Sequence, residues 1–116
     1  MSVIAAVILA LTPMGAPGYT ADDTFAAIRL ASRDTGVSQA VLTNIIGCET
    51  GWTFYPYTEG DHGHSHGVAQ INDYGNARPK FYQFYEDVYN PYEATYFMAE
   101  TLAGWHPPLG RHTWNC

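Results

Sequence analysis

Positive charge is the scarcest thing in this chain. Five Lys and Arg residues stand against eleven Asp and Glu in 116 residues, a formal net charge of −6. Nucleic-acid binding draws its affinity from basic side chains that displace phosphate counterions, so that class is excluded. The same deficit leaves no attraction to anionic membranes or anionic wall polymers. Cysteine is nearly absent too, with Cys48 and Cys116 the only two. Two thiols do not complete a zinc site, their spacing fits no metal motif, and neither metal nor cofactor is expected. In an oxidising compartment a single disulfide is the simplest reading, and closing so long a loop stabilises the fold by roughly 4 kcal/mol. Two free, buried cysteines are the alternative. Long apolar runs are also lacking. The run Val3 to Leu11 falls well short of the about 20 residues that cross a bilayer, so no membrane span is expected. It has the form of a signal-peptide core without a preceding Lys or Arg, and equally suits a first helix or the edge of a larger protein.

What is present is enough for one core. The chain is 47% hydrophobic and 15% aromatic, with nine Tyr. That composition folds, and the length allows one domain rather than two. Residues 1–19 read as a leader or N-terminal extension and residues 20–116 as the domain. Thr20 to Asp23 has the form of a helix N-cap with acids in the first turn. Ala21, Phe25, Ile28 and Ala31 give that helix its apolar face, and Gly36 ends it. Ser38 caps a second helix that runs to about Thr50, where Gly51 stops it. On this helix Leu42, Ile46 and Glu49 share one face, with Val41, Ile45 and Cys48 beside them. A carboxylate on an apolar helix face is the observation that matters, because ordinary surface acids sit on the other side.

Beyond it, Trp52 to Gly67 reads as loop and Val68 to Asn72 as a short extended segment. The aromatics Phe81, Tyr82, Phe84 and Tyr85 fall on a short helix after Pro79. Asn90-Pro91-x-Glu93 is a helix start with cap, first-turn Pro and capping-box Glu. Ala94, Phe97, Met98 and Leu102 form its buried face, and Gly104 ends it. The tail from Trp105 is irregular and needs a tether to stay docked. The fold class is mostly α, or α+β with a minimal β-hairpin.

Four chemistries compete for the central segment. Asp61 to His66 reads DHGHSH, and in an extended chain His62, His64 and His66 would project on one side toward a metal. Ser65 lies between two histidines, but sequence neighbours do not make a triad and no nucleophile elbow is present. Glu49, desolvated beside Leu42 and Ile46, would be held protonated and so suits the general acid of a glycosidase. Aromatics stacked on sugar or on a partner protein, without catalysis, are the fourth.

Glu49-Thr50-Gly51-Trp52, Gly60-Asp61, Ser65-His66-Gly67-Val68-Ala69-Gln70-Ile71-Asn72 and Asn90-Pro91 together resemble the soluble lytic transglycosylase and lysozyme-like superfamily. That pattern is a helix ending in E-S-G, a loop, S-x-G-L-x-Q-I and a later D-P-x-x-N helix. The Cys48-Glu49 pair and the closing Trp-Asn-Cys are similar to secreted and phage-borne actinobacterial members. The resemblance covers about Ala21 to Cys116. Thr50 stands where Ser is usual, Asn90 where Asp is usual, and Ala94 where Asn is common.

The resemblance implies a lysozyme-like fold and cleavage of the β-1,4 link between N-acetylmuramic acid and N-acetylglucosamine. Glu49 would be general acid and then base, with Asp61 or Glu59 as a candidate auxiliary carboxylate and Asp61 the favoured one. Ser65 would orient the substrate or the carboxyl, Gly67 would permit a close backbone approach, and Gln70 and Asn72 would bond the sugar. Trp52 and Tyr96 would join the sugar site, although Tyr92 competes with Tyr96 for the cleft tyrosine. The implied partner is a peptidoglycan glycan strand, met outside the cell or from a virion, with the chain free or part of a larger phage or secreted assembly. A catalytically silent carbohydrate-binding or phage structural module of the same fold is the alternative.

Overall fold

A computed structural model describes residues 18–106, 113, 114 and 116. The apolar run of residues 3–11 and most of the tail lie outside them. Four α-helices and a small antiparallel sheet make up the described residues: α1 (Ala21–Thr35), α2 (Gln39–Glu49), α3 (Ala77–Phe84), α4 (Pro91–Leu102), β1 (Glu59–Gly60), β2 (Ser65–His66) and β3 (Ile71–Asn72). The protein is mostly α with a minor β element.

Helix α4 is the centre. Residues Pro91 and Glu93 to Ala99 are all buried, so this helix has no solvent face over most of its length. A helix apolar on every side has to be enclosed by its neighbours. Helix α1 supplies the broadest cover, burying Thr24, Ala27, Ile28 and Ala31. Two phenols fasten the pair: Tyr92 Oη donates to Asp23 at 3.1 Å, and Tyr96 Oη donates to Asp34. Burial, then the bond to Asp23, pushes Tyr92 up to about 12.

The caps act where the sequence puts them. The Thr20 N–H donates to the Asp23 carboxylate at 2.8 Å, and Gly36 closes α1 in the left-handed region at φ 80°. Ser38 Oγ accepts from the Val41 N–H at 3.1 Å to open α2. Asn90 accepts from the N–H groups of Tyr92 and Glu93. Glu93, expected to reach back and complete a capping box, instead holds the N–H groups of Glu86 and Asp87 at 2.7 and 3.1 Å. The turn before α4 needed those acceptors more.

Several expectations shift in detail. Phe25 and Leu102 are 38% and 44% exposed, so the buried face of α1 is centred one residue earlier and α4 frays to solvent at its end. Helix α3 begins at Ala77, before Pro79, because a proline in the first turn lacks only an N–H that has no helical partner anyway. Segment 52–67 is not all loop, since it carries β1 and β2. Glu59 lies opposite His66 and Gly60 opposite Ser65, then Ser65 opposite Asn72 and His66 opposite Ile71. The sheet is therefore three-stranded rather than one hairpin.

The fold reaches back at least to Gly18. The Tyr19 N–H donates to Tyr57 Oη at 3.0 Å, and a Cβ on Gly18 would stand 2.0 Å from that oxygen. Cys48 and Cys116 form a disulfide with their Cα atoms 5.6 Å apart.

Candidate active site

Helix α2 ends in a way that fixes Glu49, its last residue. The Gly51 N–H returns to the Cys48 carbonyl at 3.3 Å and the Trp52 N–H to the Gly47 carbonyl at 2.6 Å. This is the paired bonding of a Schellman stop, with Gly51 and Trp52 both at left-handed φ, 63° and 66°. The Trp52 indole then folds back over the helix, and a Cβ on Gly47 would meet it at 2.2 Å. Gly47 is thus the seat of Trp52, and the residue as a whole remains 61% exposed. Buried Thr50 completes the stop: its hydroxyl donates to the Ile46 carbonyl at 2.8 Å and accepts from the Phe54 N–H at 3.0 Å.

Glu49 emerges half-buried from this end. Burial pushes its carboxyl above the usual carboxylate range, and burial is the only cause. Among the described residues it has no hydrogen bond or ion pair. Glu93, a buried glutamate on α4, gives the contrast. Burial raises it as well, but the Glu86 and Asp87 N–H groups oppose the rise and Asn90 Nδ2 adds a third bond at 3.2 Å. Glu93 is consumed by the fold. Glu49 is not, and a desolvated carboxyl without partners is destabilising unless something else uses it.

The segment from Asp61 to Tyr74 is a tight knot. Asn72 Nδ2 donates to Asp61 Oδ2 at 2.8 Å and to Ser65 Oγ at 3.0 Å, while Asn72 Oδ1 accepts from the Tyr74 N–H at 2.9 Å. Asp61, Ser65 and Asn72 are thereby brought together across the sheet. Gln70 Nε2 donates to the carbonyls of Thr58 and Gly67 at 3.1 and 2.8 Å. Both amide donors of Gln70 are committed, tying the β2–β3 turn to the residue before β1. Gly67 takes φ 77°, and a Cβ there would stand 2.0 Å from the Val88 carbonyl oxygen. The close approach expected at Gly67 is to the protein's own backbone. Tyr96 is buried against Asp34 and Tyr92 is bonded to Asp23, so both phenols serve the α1–α4 joint.

The histidine-rich stretch folds otherwise than an extended metal strap. Asp61 to Gly63 is a 3-10 turn with His62 left-handed, so the three histidines do not line one side. Among the described residues no group of His, Cys, Asp and Glu is arranged to hold a metal. Ser65 and His66 are neighbours in a strand and point to opposite faces. His66 reaches Glu59 Oε2 at 2.5 Å through Nδ1 and Asp73 Oδ1 at 2.9 Å through Nε2, with Tyr89 Oη donating to Glu59 at 2.5 Å. Sequence reading missed this cluster. Its signal is Glu59 facing His66 in register, visible only once β1 and β2 are known to pair.

Known proteins add nothing to this geometry: no protein-family model matches the chain, and no curated protein or solved structure matches it significantly.

Proposed function

We propose that this protein cleaves peptidoglycan glycan strands at the N-acetylmuramic acid to N-acetylglucosamine link, outside the cell or from a virion, with a lysozyme-like fold and Glu49 as its acid and base. The observation that carries the reading is Glu49: a half-buried carboxyl, unpartnered among the described residues and raised by desolvation alone, at a helix end built to hold it still. A carboxyl raised above its usual range holds its proton more readily than a surface glutamate and can give it to the glycosidic oxygen as the C–O bond breaks. The resulting carboxylate faces the oxocarbenium-like centre and then takes a proton from the attacking group. If that group is water the product carries a reducing end; if it is the substrate's own hydroxyl, an anhydro end forms. Asp61, oriented by Asn72, is the carboxylate available to stabilise the cation or place the water. Exposed Trp52 supplies stacking area for a sugar ring.

A zymogram of the full chain and of Glu49→Gln on purified cell wall tests the reading. Clearing by the parent and loss of at least about a hundredfold in the variant is the expected result for removing a general acid. Equal clearing by both, or none by the parent, refutes it. Mass spectrometry of the released fragments separates anhydro from reducing ends.

A further inference from the structure

A cavity of about 190 Å³ opens between β3, the N-terminal end of α3 and the C-terminal tail. Trp114 forms its tail-side wall, facing Ala69 to Asn72 and Asn76. The ring is held from three directions. Its Nε1–H donates to the Ala69 carbonyl at 2.8 Å, and its edge meets Phe97 with centroids 6.3 Å apart. Two residues further on, Cys116 is bonded to Cys48, and Cys48 precedes Glu49. Two peptide steps, the 5.6 Å between the cysteine Cα atoms and one more step keep the Trp114 Cα within about 17 Å of the Glu49 Cα. The disulfide therefore ties this wall to the proposed acid.

The lining decides what such a cavity can take. No lining residue is charged, so neither an anion nor a cation is favoured. The amide donors of Gln70 and Asn72 are already committed within the protein. The Asn76 carboxamide is different: it stands at the N-cap of α3 yet caps no N–H there. An aromatic wall and an uncommitted carboxamide, in a space below the about 300 Å³ at which drug-sized sites begin, suit one neutral ring with an apolar face and a polar rim. A pyranose has that form. Its C–H face covers an indole, and its hydroxyl or acetamido group bonds a carboxamide.

We infer that Trp114 and Asn76 form a neutral saccharide subsite whose wall is kept in place by the Cys48–Cys116 disulfide. The inference rests on the glycan-cleavage reading for its substrate class, and it gives Trp114 and Asn76 a binding role that reading does not assign.

The test titrates the full chain carrying Glu49→Gln with the N-acetylglucosamine tetramer by calorimetry, with circular dichroism as the check on folding. Adding Trp114→Ala weakens binding by about tenfold or more, as truncating an aromatic anchor does. Asn76→Ala also weakens it, while Trp114→Phe, which keeps a stacking face, retains most of it. The inference is overturned if Trp114→Ala and Asn76→Ala leave the affinity unchanged, or if the tetramer does not bind at millimolar concentration. If Trp114→Ala does not fold, Asn76→Ala and Trp114→Phe decide the matter. A parent that clears cell wall while binding ignores both residues sinks the subsite alone. A parent that never clears wall while binding depends on both sinks the cleavage reading alone.

Discussion

Gly67 and Gly36 offer a paired measurement in which the backbone conformation is matched and the surroundings of the Cβ are not. Both sit in the left-handed region, at φ 77° and 80°. A Cβ on Gly36 meets nothing within 4 Å, whereas on Gly67 it stands 2.0 Å from the Val88 carbonyl oxygen, against 3.4 Å for the start of ordinary contact. Placing alanine in the left-handed region costs about 1–2 kcal/mol. The narrower unfolded ensemble of alanine offsets about 0.4–1 kcal/mol of that. Gly36→Ala should therefore destabilise by about 1 kcal/mol, from conformation alone. Gly67→Ala adds the displacement of a backbone segment between α3 and α4, an overpacking cost of about 1–3 kcal/mol, for a total of about 2–4 kcal/mol. Urea unfolding followed by far-ultraviolet circular dichroism reads both, provided the denaturant slopes agree with the parent. Costs equal within about 0.5 kcal/mol would mean that the Val88 carbonyl yields freely, and the argument that Gly67 is fixed by close approach would fail.

Glu49→Gln should also change stability with pH. The folded carboxyl titrates above its unfolded value, so the parent loses stability as pH rises from the ordinary glutamate range through the folded value, and the glutamine variant does not. The variant should melt higher than the parent at pH 7, and the gap should close below about pH 4; a gap of the same size at both pH values contradicts the burial argument. Converting Cys48 and Cys116 to serine frees a loop of sequence separation 68, which the chain-entropy model values at about 4 kcal/mol. Thermal unfolding of the double variant should show that loss, and a change under about 1 kcal/mol would show that the unfolded chain is not what the disulfide restrains.

The helices were legible in the sequence because their signals are local. Thr20, Ser38, Asn90, Gly36 and Gly51 mark ends through bonds to residues two to four positions away, and those bonds form as expected. Glu49 stood out for the same reason, since helical spacing alone puts it with Leu42 and Ile46. The sheet was not legible, because strands of two residues carry no periodicity. Five non-glycine residues at positive φ, among them Trp52, Asp61, His62 and Gln70, shape the segment that follows, and nothing in their identities announces it. Long-range closures were equally hidden. Tyr96 was expected beside substrate and lies against Asp34, because its hydroxyl had a partner on α1 that only packing reveals. The docking of Trp114 gave no signal either, since its neighbour Ala69 is 45 residues away.

The phenol-to-carboxylate bonds bear on a question that composition alone poses, how so acidic a chain holds together with so few cations. Tyr85, Tyr89, Tyr92 and Tyr96 donate to Glu100, Glu59, Asp23 and Asp34. Each carboxylate gains a charge-assisted bond from a donor that is itself uncharged. Mobile ions screen the attraction between opposite charges over distance, and these contacts are short-range dipoles on single charges, so dissolved salt has little purchase on them. A protein braced this way owes little of these four contacts to the ionic strength around it. Its negative surface remains unneutralised, free to repel other copies of itself.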